Sequence, residues 1–278
     1  MPRTVRYSSF NLIGYTLAIL FALSIVVPMG FVLISAFKEH SAIISQPLGL
    51  PSSWNFDNFT LAEERAGLLQ AMLNTVLVVI VAQALNLFVA YLAAYAIARI
   101  RVAEAALVEG VFSLGFLIPA FAIIVPVFLL AADVGLLYEP AYLMTFYAVA
   151  QLPLSVVVLA NAMKQIPQDF EDSAVIDGAN RVQVIRHVFF PLTRSAVATV
   201  VILNFLYIWN EYLFALLFLL EAPSSWTLPL GLQQLDGQEV PKTMLMAGSV
   251  IISVPVIFLF FFFERFLTRG LTAGAVKG

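Results

Sequence analysis

Few side chains in this 278-residue sequence could carry out catalysis or bind a metal ion. There are no cysteines, and the two histidines, His40 and His187, are far apart in the chain, which argues against a thiol nucleophile and a zinc site. The motifs HExxH and GxSxG and a glycine-rich phosphate-binding loop do not occur. The sequence therefore predicts no catalytic residue, no bound metal and no ATP hydrolysis by this chain.

One carboxylate is unusual because of its surroundings. Glu211 is the only acidic residue deep inside a long apolar stretch, in the sequence YIWNEY at 207–212. Charge is costly in hydrocarbon, so such a residue normally faces a cavity, a partner or the interior of a helix bundle. Its position leaves two hypotheses open: Glu211 lies near a solute path or a subunit contact, or it only ties helices together through hydrogen bonds.

The elements that hold these residues must be surrounded mainly by lipid. Hydrophobic residues make up 62% of the chain and charged residues only 11%, whereas about 25% charged is usual in soluble proteins. Mean hydropathy is +0.96, and the net charge of −3 offers no basic surface to nucleic acid. The composition excludes an ordinary soluble enzyme, a disordered chain and a nucleic-acid binder, and it indicates a membrane protein.

Six stretches are apolar enough to form transmembrane helices, which need about 20 residues each. They cover residues 11–36, 72–98, 110–131, 141–162, 196–220 and 244–263. The first exceeds the roughly 7–15 apolar residues of a signal peptide, so we expect it to be retained. Five prolines inside spans, at 28, 119, 126, 153 and 255, predict kinks or hinges. The predicted fold class is an all-α membrane protein with six transmembrane helices, in a single domain over 1–278.

The basic residues predict the orientation of these spans. Eleven of the fourteen Lys and Arg lie before span one, after spans two and six, or between spans four and five. Only Lys38, Arg65 and Lys242 lie on the other side. By the positive-inside rule, both termini of this multi-pass protein are expected in the cytoplasm.

The cytoplasmic loop between spans four and five, residues 164–194, has a helical pattern. Pro167 suits a first helical turn, acids follow it, and Gly178 is suited to end the helix. A second helix is expected from Arg181, with Pro191 at its end. Its apolar stripe comprises Val182, Ile185 and Phe189. Such a pair could dock in a groove of a partner or rest on lipid headgroups, and periodicity alone leaves both open.

This loop resembles the EAA loop of ABC-importer permeases. The segment EDSAVIDGA at 171–179 has the family's order of acid, small residues and Asp-Gly-Ala, and Pro191 follows at the family's spacing. Asp172 stands for the usual glutamate and Ser173 for the first alanine, which keeps charge or size.

Two further segments narrow the resemblance to the carbohydrate branch of these permeases. WNEYLFA at 209–215 is similar to the branch's fifth-span motif. RGLTAGAVKG at 269–278 is similar to the C-terminus of the smaller transmembrane subunit of maltose-transporter-like importers. The resemblance covers the chain from about residue 70 to its end.

The resemblance implies an ABC-importer permease fold and alternating-access transport of a mono-, di- or oligosaccharide across the bacterial cytoplasmic membrane. The implied partners are a second homologous permease, two ATP-binding subunits that carry ATP and Mg, and an extracytoplasmic solute-binding protein. The chain itself is expected to bind no cofactor. The residues implied at the contact with the ATPases are Glu171, Asp172, Ser173, Ala174, Asp177, Gly178, Ala179 and Pro191.

Other parts of the chain receive less specific predictions. The tail 265–278 is expected to be flexible from Thr272 and to reach the ATPase pair, and Tyr207, Asn210 and Glu211 are the candidates for the substrate pathway. The external loop 38–70 could dock the binding protein or cap the bundle. Alternatives to the sugar are glycerol-phosphate and polyols, and an ion-coupled secondary transporter or a membrane-embedded enzyme is a less favoured class.

Overall fold

The computed structural model describes residues 9–99 and 103–275, with side chains for residues 12–99 and 104–261. Within these ranges the chain is helical and has no strand, which confirms the all-α fold class. The α-helices are α1 (Ser9–Ser35), α2 (His40–Ser45), α3 (Asp57–Ala66), α4 (Leu68–Arg99), α5 (Ala103–Leu114), α6 (Ala120–Asp133), α7 (Pro140–Ala150), α8 (Leu152–Lys164), α9 (Gln168–Ile176), α10 (Arg181–Val184), α11 (Phe190–Asn210), α12 (Leu213–Leu219), α13 (Leu228–Gln233) and α14 (Lys242–Ala275). Short 3-10 turns occupy Gly115–Leu117 and Pro223–Ser225, and a π-helical turn occupies Ile185–Phe189.

The described chain forms two compact units. The first comprises the described residues up to Leu68 together with Leu232–Ser253, and the second comprises Leu69–Gly231 and the described residues from Val254. In the first unit, α1 is apolar all round and none of its apolar window is buried within the chain. A helix of that kind suits a lipid environment.

The predicted external loop 38–70 is folded around two polar anchors. Lys38 is buried, and its Nζ donates hydrogen bonds to the carbonyls of Gln46 and Pro47 at 3.0 and 2.8 Å. Asn58 Nδ2 donates to the carbonyls of Ala36 and Lys38, both at 2.9 Å. These bonds satisfy backbone acceptors that the segments after α1 and α2 would otherwise leave unpaired.

A cluster of aromatic rings covers the same loop. The ring centre of Phe37 lies 5.1–5.3 Å from those of Trp54, Phe56 and Phe59. Trp54 and Phe56 remain exposed. The loop is therefore ordered and carries aromatic side chains on its surface.

The second unit is held together by apolar packing and by one buried polar cluster. Small and aliphatic residues of α4 and α8, such as Ala90, Ala94 and Leu159, are fully buried in its core. Asn86, Ser155 and Asn204, from α4, α8 and α11, share hydrogen bonds of 2.7–3.1 Å. Amide and hydroxyl groups that bond across helices hold them in register where water is absent.

Two of the six predicted spans are bent. The third, predicted over 110–131 with a kink or hinge at Pro119, is broken at Ile118 and Pro119, and α5 with its 3-10 turn meets α6 at 99°. Proline disfavours a helical conformation in the residue before it, and Ile118 is extended. The fourth, predicted over 141–162, bends by 41° between α7 and α8, beside Pro153.

Gly115 explains how the bent pairs pack. A Cβ atom at this position would collide with the ring of Pro153 on α8. The absence of a side chain lets the 3-10 turn approach α8 closely, as small residues do between membrane helices.

The last two predicted spans also differ from the sequence-based bounds. The fifth, predicted over 196–220, ends at Asn210, and a separate helix α12 follows. The sixth, predicted over 244–263, belongs to α14, which continues to Ala275, so the run from Thr272 to Ala275 is helical rather than the flexible tail expected. Residues 276–278 lie outside the described residues.

The number of spans agrees with the prediction once the bends are counted. Four described helices are individually long and apolar enough to cross a membrane, and six spans result if each bent pair counts as one. The predicted kinks coincide with the bends beside Pro119 and Pro153, and the prolines at 28, 126 and 255 lie inside helices.

Candidate coupling loop and membrane pathway

The loop after α8 folds as two helices joined by a glycine turn, as its pattern predicts. Helix α9 ends at Ile176, and Gly178 has a φ of +85°, a left-handed conformation that glycine adopts at low cost. Asn180 then begins the next helix with a capping box, in which its side chain accepts from the Gln183 amide and the Gln183 side chain accepts from the Asn180 amide. Local chemistry thus fixes the turn.

The prediction that Pro191 ends the second helix is wrong. The chain is helical without interruption from Arg181 to Asn210, over 30 residues. The π-helical turn at Ile185–Phe189 immediately precedes Pro191. A wider turn accommodates a residue that lacks an amide hydrogen and whose ring would clash with the carbonyl one turn earlier. The second loop helix and the fifth span are therefore one element.

The predicted apolar stripe on the second helix is only partly buried. Phe189 is fully buried, Ile185 is half-buried, and Val182 is 72% exposed. Phe170, Val175 and Ile176 of α9 are also exposed, with Ile176 at 85%. Clustered apolar side chains at a surface mark a site where another surface binds.

The acids of α9 and its turn divide into two groups. Asp169, Asp172 and Asp177 are exposed, and Asp172 is bonded only within its own helix, where Gln168 Nε2 donates to it at 3.3 Å. Glu171 points the other way, towards α4. The Arg99 Nε lies 2.8 Å from Glu171 Oε2, and Tyr95 OH donates to Oε1 at 2.6 Å.

A small cavity of about 320 Å³ lies behind the glycine turn. Ala174, Asp177, Gly178 and Ala179 line it together with side chains of the second helix, among them His187. Four residues predicted at the coupling contact are thus adjacent in space. Ser173 and Pro191 are exposed nearby in the chain but do not line the cavity.

Glu211 lies at a break in the fifth span and caps the helix that follows. Its backbone is extended, at φ −72° and ψ 126°, and α12 begins two residues later. Its carboxylate accepts hydrogen bonds from the amides of Phe214 and Ala215 at 2.9 and 3.2 Å, and from Tyr147 OH. A carboxylate at this position satisfies amides that a helix N-terminus leaves unpaired and complements its positive dipole.

The neighbours of Glu211 point in different directions. The Tyr207 ring packs edge-on against the Tyr147 ring, with centres 6.2 Å apart. Asn210 is exposed, and its Nδ2 donates to the Leu206 carbonyl of its own helix at 2.7 Å. The structure therefore brings Tyr207 and Glu211 into contact with Tyr147, whereas the Asn210 side chain is exposed and bonds within its own helix.

The sequence alone does not identify the partners of either acid. Tyr147 is buried at 1% exposure on α7, 64 residues from Glu211 in sequence. Tyr95 and Arg99 lie one turn apart at the end of α4, 76 and 72 residues before Glu171. A hydroxyl and a base on one helical face are a signal for a carboxylate partner, but the sequence does not identify which one.

Comparison with known proteins places this arrangement in a family. Residues 87–273 match the family described as "Binding-protein-dependent transport system inner membrane component". The chain belongs to this family of permeases. The permease is 32% identical to the diacetylchitobiose uptake system permease protein NgcG of Streptomyces coelicolor over 272 residues, which cover 96% of this chain and 89% of NgcG.

Two further similarities agree. The permease is 30% identical to the inner membrane ABC transporter permease protein YcjP of Escherichia coli, over 93% of this chain and 94% of YcjP. It also superimposes on a chain from the crystal structure of a bacterial ABC transporter involved in the import of the acidic polysaccharide alginate, with a TM-score of 0.84 and 22% identity over 95% of this chain and 99% of that chain. The structural likeness confirms the ABC-importer permease fold.

Family membership confirms the central predictions from sequence. The chain is a multi-pass inner-membrane component of an ABC importer, and it is a transport subunit rather than an enzyme. A component of a binding-protein-dependent system works with a binding protein and with ATPase subunits.

Proposed function

We propose that this permease translocates a sugar. The observation that carries the proposal is its 32% identity, over nearly the whole chain, to a permease named for the uptake of diacetylchitobiose, a disaccharide derivative. Motifs of the carbohydrate branch in the fifth span and at the C-terminus support the same substrate class. A mono-, di- or oligosaccharide crosses the membrane by alternating access, which partner ATPases drive.

The loop of α9 and α10 is the proposed docking site of the ATPases. Exposed carboxylates at Asp169, Asp172 and Asp177 lie on the same loop as the exposed apolar side chains of Val175 and Ile176. Covering these apolar side chains would remove them from water, and the acids would pair with bases on the partner. Because the second helix continues into the fifth span, a displacement of the loop is transmitted to the membrane without a flexible joint.

The remaining parts of the importer follow from the same proposal. A second, homologous permease completes the pathway, two ATP-binding subunits hold ATP and Mg, and this chain binds no cofactor. Both termini and the loop 164–194 face the cytoplasm, where eleven of the fourteen Lys and Arg lie.

In the substrate pathway, Tyr207 and Asn210 are the proposed sugar contacts. A phenol and an exposed amide provide the hydrogen-bonding groups and the aromatic face that suit a sugar. Glu211 would have a structural role without contacting the sugar. Its carboxylate already accepts three hydrogen bonds and stabilises the backbone turn beside these two residues.

Reconstitution of the complete importer tests the function. The permease is purified with the subunits encoded beside it, placed in proteoliposomes, and screened with a panel of sugars for ATPase stimulation that requires the binding protein. We expect one sugar class to stimulate ATP hydrolysis and to accumulate inside. Stimulation by glycerol-phosphate or a polyol alone would overturn the sugar assignment. Uptake that persists without ATPases and collapses with an ion gradient would overturn the importer assignment.

A further inference from the structure

The Glu171 cluster, formed by Glu171 of α9 with Tyr95 and Arg99 of α4, joins the loop directly to the second span. Glu171 Oε1 accepts a hydrogen bond from Tyr95 OH at 2.6 Å, and Oε2 forms an ion pair with Arg99 Nε at 2.8 Å. Arg99 also donates through Nη2 to the Ile166 carbonyl, just before α9, at 3.1 Å. Its guanidinium lies 4.6 Å from the ring centre of Phe189 in the second loop helix.

This cluster is shielded from water. The side chains of Arg99 and Glu171 are 13% and 16% exposed. The Phe189 ring, which is fully buried, packs edge-on against Tyr95 with ring centres 5.0 Å apart. An ion pair in such surroundings is screened less than a surface pair, and removing one partner leaves the other buried and uncompensated.

Helix α9 depends on contacts of this kind for its position. It has nine residues, and none of them is fully buried. An isolated helix of that length is marginal in water, so α9 can transmit a force only if side chains fix it to larger elements. The connections along the chain tie α9 to α8 and to the second loop helix, whereas the Glu171 cluster ties it to α4.

We propose that Glu171 is a positioning residue that fastens the loop to α4 through Arg99 and Tyr95, so that movement of the loop reaches the second span as well as the fifth. This assignment rests on the proposed importer function and changes the role that family resemblance implies for Glu171. Asp172, on the exposed side of α9, remains available to the ATPase, while Glu171 faces the membrane bundle. Asp172 would therefore contribute to docking of the ATPase, and Glu171 would transmit movement of the loop to α4.

The test compares conservative variants in the complete reconstituted importer. Glu171→Gln keeps the shape of the side chain but removes the charge paired with Arg99. Tyr95→Phe removes only the hydroxyl on the α4 side, at a position outside the loop. Asp172→Asn is the matched control, because it neutralises an exposed acid of the same helix. Copurification of the ATPases, the rate of ATP hydrolysis and the number of sugars transported per ATP are measured for each.

We expect Glu171→Gln and Tyr95→Phe to copurify with the ATPases at wild-type levels and to hydrolyse ATP. Glu171→Gln should transport at least about fivefold fewer sugars per ATP, which is the lower end of typical coupling effects. Tyr95→Phe should show a smaller loss of the same sign. Asp172→Asn should weaken copurification instead. Loss of copurification in Glu171→Gln, or a wild-type transport ratio in both variants, would overturn the proposal.

The cysteine-free sequence permits a direct measurement of the same link. Spin labels on cysteines introduced at the exposed positions Val175 of α9 and Leu92 of α4 report the distance between the two helices. We expect a narrow distance distribution in the wild-type background that persists with and without ATP, and a broader one in Glu171→Gln. An unchanged distribution in Glu171→Gln would overturn the proposal. Failure of the wild-type importer to transport any sugar would instead count against the proposed function.

Discussion

Replacing Glu211 by alanine distinguishes its two possible roles, a position near the solute path or a subunit contact and a structural role through hydrogen bonds. The substitution removes the acceptor of three hydrogen bonds, from Tyr147 OH and from the amides of Phe214 and Ala215. Tyr147, Phe214 and Ala215 are 1%, 2% and 0% exposed, so water does not replace the carboxylate. A buried donor without an acceptor costs about 1–3 kcal/mol in soluble proteins, and hydrogen bonds between membrane helices average about 0.6 kcal/mol. The expected loss of stability is therefore about 2–4 kcal/mol.

Thermal unfolding of the detergent-purified importer measures this loss. At about 2–4 °C per kcal/mol, Glu211→Ala should lower the apparent Tm by roughly 5–15 °C. Glu211→Gln retains one acceptor oxygen and the shape of the side chain, so it should lose only about 1–2 kcal/mol. Asn210→Ala is the control, since this exposed neighbour bonds only within its own helix and should cost less than about 0.5 kcal/mol.

Sugar uptake by the two Glu211 variants completes the test. If Glu211 acts through structure, the uptake per folded importer should recover in Glu211→Gln, and the KM for the sugar-loaded binding protein should stay close to wild type. Wild-type thermal stability of Glu211→Ala combined with loss of uptake would refute the capping argument and place the carboxylate in the solute path.

Four further variants test other contacts. Gly178→Ala forces a side chain into the left-handed conformation at φ +85°, which costs about 1–2 kcal/mol, so uptake should fall while membrane insertion stays normal; wild-type uptake would count against the turn as a coupling element. Gly115→Val should destabilise the importer by about 1–3 kcal/mol through collision with Pro153, visible as a lower Tm. Asn204→Leu should cost about 1–3 kcal/mol, because Asn86 and Ser155 lose a buried partner, and an unchanged Tm would contradict this. Deleting residues 272–278 should reduce ATPase stimulation by the binding protein, and intact coupling would exclude a role for this segment.

Features determined by neighbours in sequence were the most predictable. The glycine turn follows from one residue that tolerates positive φ, and the start of the second helix follows from Asn180 and Gln183, which bond each other's amides. The apolar runs likewise predict the spans, because lipid demands about 20 residues without charge whatever the tertiary structure. These features need no information from distant parts of the chain.

The direction in which each acid faces could not be predicted in the same way. Glu171 and Asp172 are adjacent, and the pattern of α9 does not state which one meets Arg99, since that partner is 72 residues away. The apolar residues that flank Glu211 predict a continuous span, whereas the helix breaks at Glu211 and its carboxylate caps the next helix. Both outcomes depend on tertiary contacts with tyrosines, the half-buried Tyr95 for Glu171 and the buried Tyr147 for Glu211.

The helix that continues through Pro191 joins the cytoplasmic loop to the fifth span, which the sequence pattern predicts as separate elements. Because the helix is continuous from Arg181 to Asn210, its 30 residues extend over about 45 Å, from the glycine turn to the residue before Glu211. Tyr91 OH and Thr193 Oγ1, 2.8 Å apart, bind this helix to α4 above the π-helical turn, and Arg99 meets Phe189 within it. A displacement of the loop therefore acts on a rigid helix. This helix contacts α4 near its N-terminal end, and its C-terminal end lies at the break where Glu211 binds Tyr147. Rotation of this helix would move Tyr207 and Asn210, so the proposed docking loop and the proposed sugar contacts lie at opposite ends of one helix.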